Sequence, residues 1–225
     1  MRSASSRRPA VTPARPFDAL LCDLDNVIRF YDTTRLAALE RAAGLPVGTT
    51  ASVAFAPEVD LPLLLGRTTR ERWAESVARA LAGGPGVPCE QARELGAALA
   101  GAPFRADGEV VSLLRRAREH LPVVLVTNAS LGLEEDLAAM GLEGLAHHVV
   151  NSALVGVAKP DPEIYGIAVE RAGVPAGRCL FVDDRRENVE AAAALGMGAL
   201  HYRAPADLRG ALAFLPAGPA EKYKV

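Results

Sequence analysis

The chain has 225 residues, of which half are hydrophobic and 23% are charged, and this balance is typical of a globular protein with one substantial domain or one domain carrying a smaller module. The formal net charge of −2 shows no basic excess, so no nucleic-acid partner and no anionic-membrane partner is predicted. Because no run of about 18 uninterrupted apolar residues is present, the sequence also predicts no transmembrane helix.

The two ends of the chain and its cysteines give expectations about tails and about the cellular compartment of the protein. Residues 1–16 contain four arginines and no acids, and a disordered tail is expected there, with an organelle transit peptide as the alternative. Residues 216–225 are expected to form a C-terminal tail. The cysteines, Cys22, Cys89 and Cys179, are odd in number and widely spaced, without a disulfide or metal-binding pattern. A reducing, cytoplasmic compartment is therefore expected.

Short apolar runs predict the strands of a parallel sheet. They lie at residues 19–22, 123–126, 148–150, 179–182 and, more weakly, 199–202. From residue 107 onward helical patterns separate these runs, beginning at capping residues such as Asp107 and Asp161 and ending at glycines such as Gly141 and Gly196. This alternation predicts a doubly wound α/β fold, with helices on both faces of the sheet.

The stretch from about residue 31 to 104 breaks the alternation and is predicted to be helical throughout. One helix is expected to start at a capping box formed by Thr68 and Glu71 and to bury Trp73, Val77 and Leu81. We interpret residues 31–104 as a helical module inserted into a core made of residues 17–30 and 105–215, and call it the inserted module.

Four polar groups follow or interrupt apolar runs, each where a parallel strand is expected to finish. They are Asp23 with Asp25, Thr127 with Asn128, Lys159, and Asp183 with Asp184. Each alone has a plainer explanation as a turn residue, a helix cap or a solvated side chain. As a set they favour a common site, because ligands of open α/β sheets bind at the carboxyl edge of the strands.

The chemistry of the set predicts a cation and an anionic substrate. The four carboxylates would repel one another and resist ionising together unless a cation lay among them. Oxygen-only ligands favour Mg²⁺, while Lys159 adds a further positive charge. The hydroxyl and backbone N–H groups of Thr127 and Asn128 could hold an anionic oxygen. Such a site suits phosphoryl transfer from a small phosphate ester.

At these motifs the sequence resembles the haloacid dehalogenase (HAD) superfamily, in particular its phosphatase-like members with a small helical cap. The resemblance rests on Asp23-Leu24-Asp25, on Thr127 after an apolar strand, on Lys159 in Gly-Val-Ala-Lys-Pro-Asp-Pro, and on Val182-Asp183-Asp184. It extends from Phe17 to about Tyr202. It implies a Rossmann-like core and makes the inserted module the cap.

The resemblance also implies a catalytic role for four residues. Asp23 matches the nucleophile that forms an aspartyl-phosphate, which divides one difficult displacement into two easier ones. Asp25 matches the acid that protonates the leaving oxygen and then activates water. Thr127 and Lys159 match the groups that bind the transferring phosphoryl group.

The metal ligands are implied in the same way. Asp184 matches the main side-chain ligand beside Asp23, with the backbone carbonyl of Asp25 completing the set. Asp183 is either a ligand through water or an acid that orients its neighbours.

Two departures from the family pattern and two rival functions remain open. Asn26 stands where many relatives have Gly, and Asn188 stands where other branches have Asp, so the substrate is defined only as a small organic phosphate, with sugar phosphates as one candidate. A 2-haloacid dehalogenase is the first rival, although such enzymes lack an acid at the position of Asp25. A non-catalytic HAD-like binding protein is the second. The oligomeric state is not predicted.

Overall fold

A computed structural model describes residues 15–83 and 87–216. The tails predicted at 1–16 and 216–225 lie outside these residues except for Arg15, Pro16 and Pro216, so both tails stay predictions. The strands are β1 (Ala19–Cys22), β2 (Arg29–Tyr31), β3 (Phe104–Ala106), β4 (Val123–Thr127), β5 (His148–Asn151), β6 (Cys179–Asp183) and β7 (Gly198–His201). The helices are α1 (Thr34–Ala42), α2 (Thr49–Ala54), α3 (Pro57–Leu64), α4 (Arg70–Ala82), α5 (Cys89–Ala100), α6 (Gly108–Arg118), α7 (Leu133–Ala139), α8 (Ser152–Val155), α9 (Pro162–Ala172), α10 (Arg186–Ala194) and α11 (Pro205–Ala211), with a 3-10 helix at Ala176–Arg178.

The core is a five-stranded parallel sheet in the order β5-β4-β1-β6-β7. Each of its strands overlaps one of the predicted apolar runs, with bounds that agree to within one residue. Side chains alternate along the strands, so Leu20 and Cys22 pack on one face with α6, α7 and α11, while Ala19 and Leu21 pack on the other with α9 and α10. Burial on both faces confirms the predicted doubly wound α/β fold.

Helices α1 to α5 bury an apolar cluster of their own, apart from the two clusters that cover the sheet. Its centre includes Trp73, Val77 and Leu95. Helices α4 and α5 approach closely at Gly96, where a Cβ atom would lie 2.5 Å from the carbonyl oxygen of Ala74, so only glycine fits there. Since these helices form a packed unit, we propose that the inserted module has the predicted bounds.

Two details of the inserted module differ from the prediction. The N-cap of α4 is Thr69, whose hydroxyl accepts a hydrogen bond from the backbone N–H of Arg72, and not Thr68. An antiparallel ribbon of β2 and β3 joins the module to the core, with Arg29 opposite Ala106. Its three-residue strands are too short to show a period in the sequence. Within the described part of the chain, no helix combines the length and apolarity that crossing a bilayer requires.

Candidate active site

Adjacent strands bring the predicted residues to one edge of the sheet. Asp23 follows β1, Thr127 ends β4, and Asp183 ends β6 and is followed by Asp184. Because β1 lies between β4 and β6 and all three are parallel, these ends share the carboxyl edge. Lys159 departs from the expectation: it lies in the loop between α8 and α9 and not at the end of a strand.

Three carboxylates form a compact cluster at this edge. One oxygen each from Asp23, Asp183 and Asp184 lies within 4.8 Å of the other two. Asp23 and Asp183 are buried and Asp184 is half-buried. A set of hard oxygen donors with one partly open side fits a divalent cation of the Mg²⁺ type.

Lys159 places a buried ammonium group against two of these carboxylates. Its Nζ lies 2.7 Å from Asp23 Oδ1 and 2.6 Å from Asp183 Oδ2. Asn128 fixes the lysine backbone: its side-chain oxygen accepts from the Lys159 N–H at 2.8 Å, and its side-chain amide donates to the Lys159 carbonyl at 2.9 Å. The Asn128 side chain therefore positions Lys159, while the backbone N–H of Asn128 stays the group predicted to bind phosphate.

The carboxylate of Asp183 is fully buried and its oxygens are already hydrogen-bonded. Besides Lys159, it accepts from the side-chain amide of Asn188 at 3.0 Å and from the backbone N–H of Arg185 at 2.8 Å. Of the two roles that the sequence left open, this geometry favours the orienting one, because little lone-pair capacity remains for a ligand.

Thr127 contributes a hydroxyl that is ready to bind a ligand. Its Oγ1 is buried and has no hydrogen-bond partner among the described residues. A buried polar atom left in this state costs about 1–3 kcal/mol. An anionic oxygen at the edge of the sheet would satisfy it, as the sequence predicts.

The pKa shifts in the cluster follow from burial and mutual repulsion. Burial raises the pKa of Asp23, and the Asp183 charge adds to this effect, while Lys159 opposes it. Burial and Asp183 likewise raise the pKa of Asp184. Burial alone would lower the pKa of Lys159, but the charges of Asp23 and Asp183 outweigh it, so that pKa is raised and the ammonium stays protonated. A positive charge added near Asp23 and Asp184 would therefore favour the ionised form of both carboxyl groups.

Asp25 is held by a chain of ion pairs that the sequence did not reveal. Arg29 donates to both of its carboxylate oxygens, from Nε at 2.6 Å and from Nη2 at 2.9 Å. The remaining Arg29 nitrogen, Nη1, donates to Asp136 at 2.8 Å. Asp136 also accepts from Arg70 of α4 at 2.6 Å, so the chain connects the core to the inserted module. Only Arg29 is near Asp25 in sequence.

The arrangement belongs to a known family. The family model for haloacid dehalogenase-like hydrolases matches residues 17–196, which include every residue of the site. The chain is a haloacid dehalogenase-like hydrolase.

Two named phosphatases are similar to parts of this hydrolase. A sesquiterpene phosphatase from Aspergillus oryzae is 37% identical over 100 residues, which are 44% of this chain and 51% of the relative. Phosphatase MT3486 from Mycobacterium tuberculosis is 39% identical over 84 residues, which are 36% of this chain and 39% of the relative. The similarity thus spans about half or less of these relatives.

Solved HAD structures share the fold of this hydrolase. A HAD family enzyme from Bacteroides thetaiotaomicron, in complex with magnesium and inorganic phosphate, has a TM-score of 0.60 at 22% identity, covering 80% of this chain and 91% of that one. An L-2-haloacid dehalogenase from Xanthobacter autotrophicus has a TM-score of 0.57 at 20% identity, covering 80% and 75%. At these low identities both similarities concern the fold alone.

Asp60 of α3 gives the hydrolase a titrating group near neutral pH. Burial raises the pKa of its carboxyl to about 6, although Arg185 lowers it. Because this folded-state pKa lies above the ordinary value, ionisation weakens the fold as pH rises through about 6. We expect Asp60→Asn to raise the free energy of unfolding by about 1 kcal/mol near pH ~8 and to change it little near pH ~4, as measured by urea denaturation.

The matched control for this prediction is Asp32→Asn. Asp32 is exposed, and its hydrogen bonds with Thr34 lower the pKa of its carboxyl, so the ionised form favours the fold. Asp32→Asn should therefore give no stabilisation at the higher pH. An equal effect of Asp60→Asn at both pH values would contradict the assignment of the raised pKa to Asp60.

Proposed function

We propose that this hydrolase is a Mg²⁺-dependent phosphatase that cleaves a small phosphomonoester through an aspartyl-phosphate at Asp23. The observation that carries the proposal is the contact of one buried ammonium, Lys159 Nζ, with Asp23 inside a three-carboxylate cluster. Such a cluster accepts a dianionic ester only with added positive charge. The relatives named as phosphatases, and the HAD structure that contains magnesium and phosphate, support this choice.

The metal-binding residues follow from which carboxylates are free. Asp23 and Asp184 would hold Mg²⁺ together with the backbone carbonyl of Asp25. The oxygens of Asp183 already accept hydrogen bonds from Lys159 and Asn188, so Asp183 would orient the Lys159 ammonium group instead of binding the metal. The bound cation supplies neutralisation of the negative charge on the phosphoryl oxygens.

Four side chains of the site would carry out the two chemical steps. A carboxylate oxygen of Asp23 attacks phosphorus, while the Thr127 hydroxyl and the Lys159 ammonium bind phosphoryl oxygens. The bond from phosphorus to the alcohol oxygen breaks, and that oxygen takes its proton from Asp25. Asp25 next removes a proton from water, which attacks the aspartyl-phosphate and releases inorganic phosphate.

Arg29 fixes the position of the Asp25 carboxylate. Arg29 binds both oxygens of the Asp25 carboxylate through one hydrogen bond each, which fixes the orientation of the carboxylate and leaves a lone pair on each oxygen for proton transfer. We propose Arg29 as a positioning residue that holds Asp25 in place between turnovers.

The proposal is tested by a screen of phosphomonoesters, including sugar phosphates, with Mg²⁺ and with a chelator. Phosphate release that requires Mg²⁺ is the expected result. Chloride release from 2-chloropropionate that a chelator leaves unchanged would instead identify a dehalogenase. A lack of any turnover by the folded, Mg²⁺-loaded protein would favour the non-catalytic alternative.

Replacing Asp25 separates the two chemical steps. With p-nitrophenyl phosphate, whose leaving group departs without a proton, Asp25→Asn should still form the aspartyl-phosphate but hydrolyse it about 10²–10⁴-fold more slowly. We expect a burst of nitrophenol equal to the amount of enzyme, and phosphorylated protein in acid-quenched mass spectra. With alkyl phosphates the burst should be missing, because the first step then also needs the acid.

Asp107→Asn is the matched control for this substitution. Asp107 caps α6 outside the site, and asparagine caps helices equally well, so kinetics like those of the unmodified protein are expected. Equal losses of Asp25→Asn on both substrates, without phosphorylated protein, would contradict the role given to Asp25.

A further inference from the structure

A cavity of about 750 Å³ extends from Asp23 and Lys159 into the inserted module. This volume is within the range of sites that enclose a small organic molecule. Beyond the carboxylates, much of the lining is apolar and comes from α1 to α5 and from the segments joining them. It includes Leu36, Val47, Phe55, Leu63, Trp73 and Phe104.

Apolar side chains are left exposed in this cavity. Phe55 is 60% exposed and Val47 is 56% exposed, and Tyr31, at 42%, lies in the same lining. Phe55 stacks on Trp73 with ring centroids 6.4 Å apart, so the exposed Phe55 ring is held against the wall of the cavity. Exposed apolar groups gathered in one concave place indicate a binding surface for an apolar group, since covering them releases about 25 cal/mol per Å².

Several polar groups of the lining are already paired with one another. Glu40 accepts from the backbone N–H groups of Gly48 and Thr50, both at 2.7 Å. Arg29, Asp136 and Arg70 form the ion-pair chain to Asp25.

These pairings remove four charged side chains of the lining as free partners for the hydroxyls of a sugar. A hydroxyl buried without a partner costs about 1–3 kcal/mol, so a polyol is a poor occupant of this wall.

We infer that the substrate is the phosphate monoester of an extended hydrophobic alcohol, whose apolar part lies against Phe55 and Trp73. The inference rests on the proposed phosphatase activity and narrows it. Water and the monoester give the free alcohol and inorganic phosphate. The phosphoryl group is bound at the sheet edge, and the inserted module recognises the alcohol.

A homologous series of n-alkyl monophosphates, from ethyl to decyl and used below the concentrations at which they form micelles, tests the inference. We expect kcat/KM to rise about threefold per added methylene until the chain fills the cavity. Glucose 6-phosphate and glycerol phosphate should not exceed ethyl phosphate. A flat series, or a sugar phosphate as the best substrate, would overturn the inference while leaving the phosphatase proposal intact. No hydrolysis of any ester, p-nitrophenyl phosphate included, would overturn both.

A pair of variants locates the effect. Phe55→Ser should lower the ratio of kcat/KM for decyl phosphate to that for ethyl phosphate by about tenfold, because the longer chain loses its aromatic contact. Leu195→Ser is the matched control, since Leu195 is 39% exposed but lies outside the cavity, and the ratio should stay unchanged. Both side chains are exposed, so neither substitution opens a hole in a core. An unchanged ratio in Phe55→Ser would contradict the placement of the chain.

Discussion

Replacing Asp23 with asparagine is expected to reduce phosphomonoester hydrolysis to background, a loss of about 10⁴-fold or more. The amide oxygen is a poor nucleophile, so no aspartyl-phosphate can form. Asparagine also removes the negative charge that would hold Mg²⁺ beside Asp184. The measurement is Mg²⁺-dependent phosphate release at saturating substrate.

The fold should survive this substitution. Asparagine has nearly the shape of aspartate, and Lys159 keeps its 2.6 Å contact with Asp183. Burial disfavours the charge at position 23, so the neutral side chain carries no desolvation penalty of that kind. Circular dichroism and the urea midpoint should match those of the Asp107→Asn control. Normal activity in a folded Asp23→Asn protein would remove Asp23 from the mechanism.

Replacing Lys159 with methionine is expected to damage both activity and stability. Its ammonium balances two buried carboxylates, and its loss leaves Asp183 without a cationic partner. Breaking a buried pair from one side costs about 3–5 kcal/mol in the free energy of unfolding near neutral pH. Without the positive charge at the phosphoryl group, hydrolysis should fall by about 10³-fold.

An exposed pair supplies the control for Lys159. Arg178 contacts Asp18 at 2.9 Å, with the two side chains 41% and 40% exposed, so Arg178→Met should change the free energy of unfolding little and leave turnover unchanged. The loss of stability in Lys159→Met should also become smaller at acidic pH, because protonated carboxyl groups carry no charge for the ammonium to balance. Equal losses of stability in Lys159→Met and Arg178→Met would show that Lys159 acts only as a surface charge.

The sequence predicted the sheet because its signals there are local. Each core strand is a short apolar run buried on both faces, and Asp107 and Asp161 cap the helices that were expected to start after them. The turn after Asp25 has a backbone that glycine would also allow: Asn26 adopts a φ of 59°, a left-handed conformation that asparagine tolerates better than most residues. Adjacent parallel strands then bring Asp23 and Asp183 to the same edge.

What the sequence missed depends on contacts between distant segments. The Arg29–Asp136 and Arg70–Asp136 pairs join residues 107 and 66 positions apart, and no local pattern distinguishes such pairs from solvated charges. Lys159 was placed at a strand end because the helix α8 has only four residues, too few to show a period. The hydrogen bonds between the Asn128 side chain and the Lys159 backbone likewise join distant positions, so no local pattern in the sequence predicts them.

The ion-pair chain and the cavity give the inserted module two separate connections to the site. Arg70 of α4 reaches Asp136 of α7, and through Arg29 this contact extends to the carboxylate of Asp25. The apolar wall meanwhile faces the space next to Asp23. We therefore expect changes in the wall to alter the choice of substrate more than the chemistry.

The proposed activity depends on electrostatic balance among Asp23, Asp184 and Lys159, and calorimetric binding of inorganic phosphate tests that balance most directly. Phosphate should bind the protein when Mg²⁺ is present and lose most of its affinity after chelation, since the carboxylates then repel the anion. Asp184→Asn, which removes a proposed metal ligand, should bind phosphate equally weakly under both conditions. Phosphate binding in the presence of a chelator that is as tight as binding with Mg²⁺ would contradict the proposed electrostatic balance.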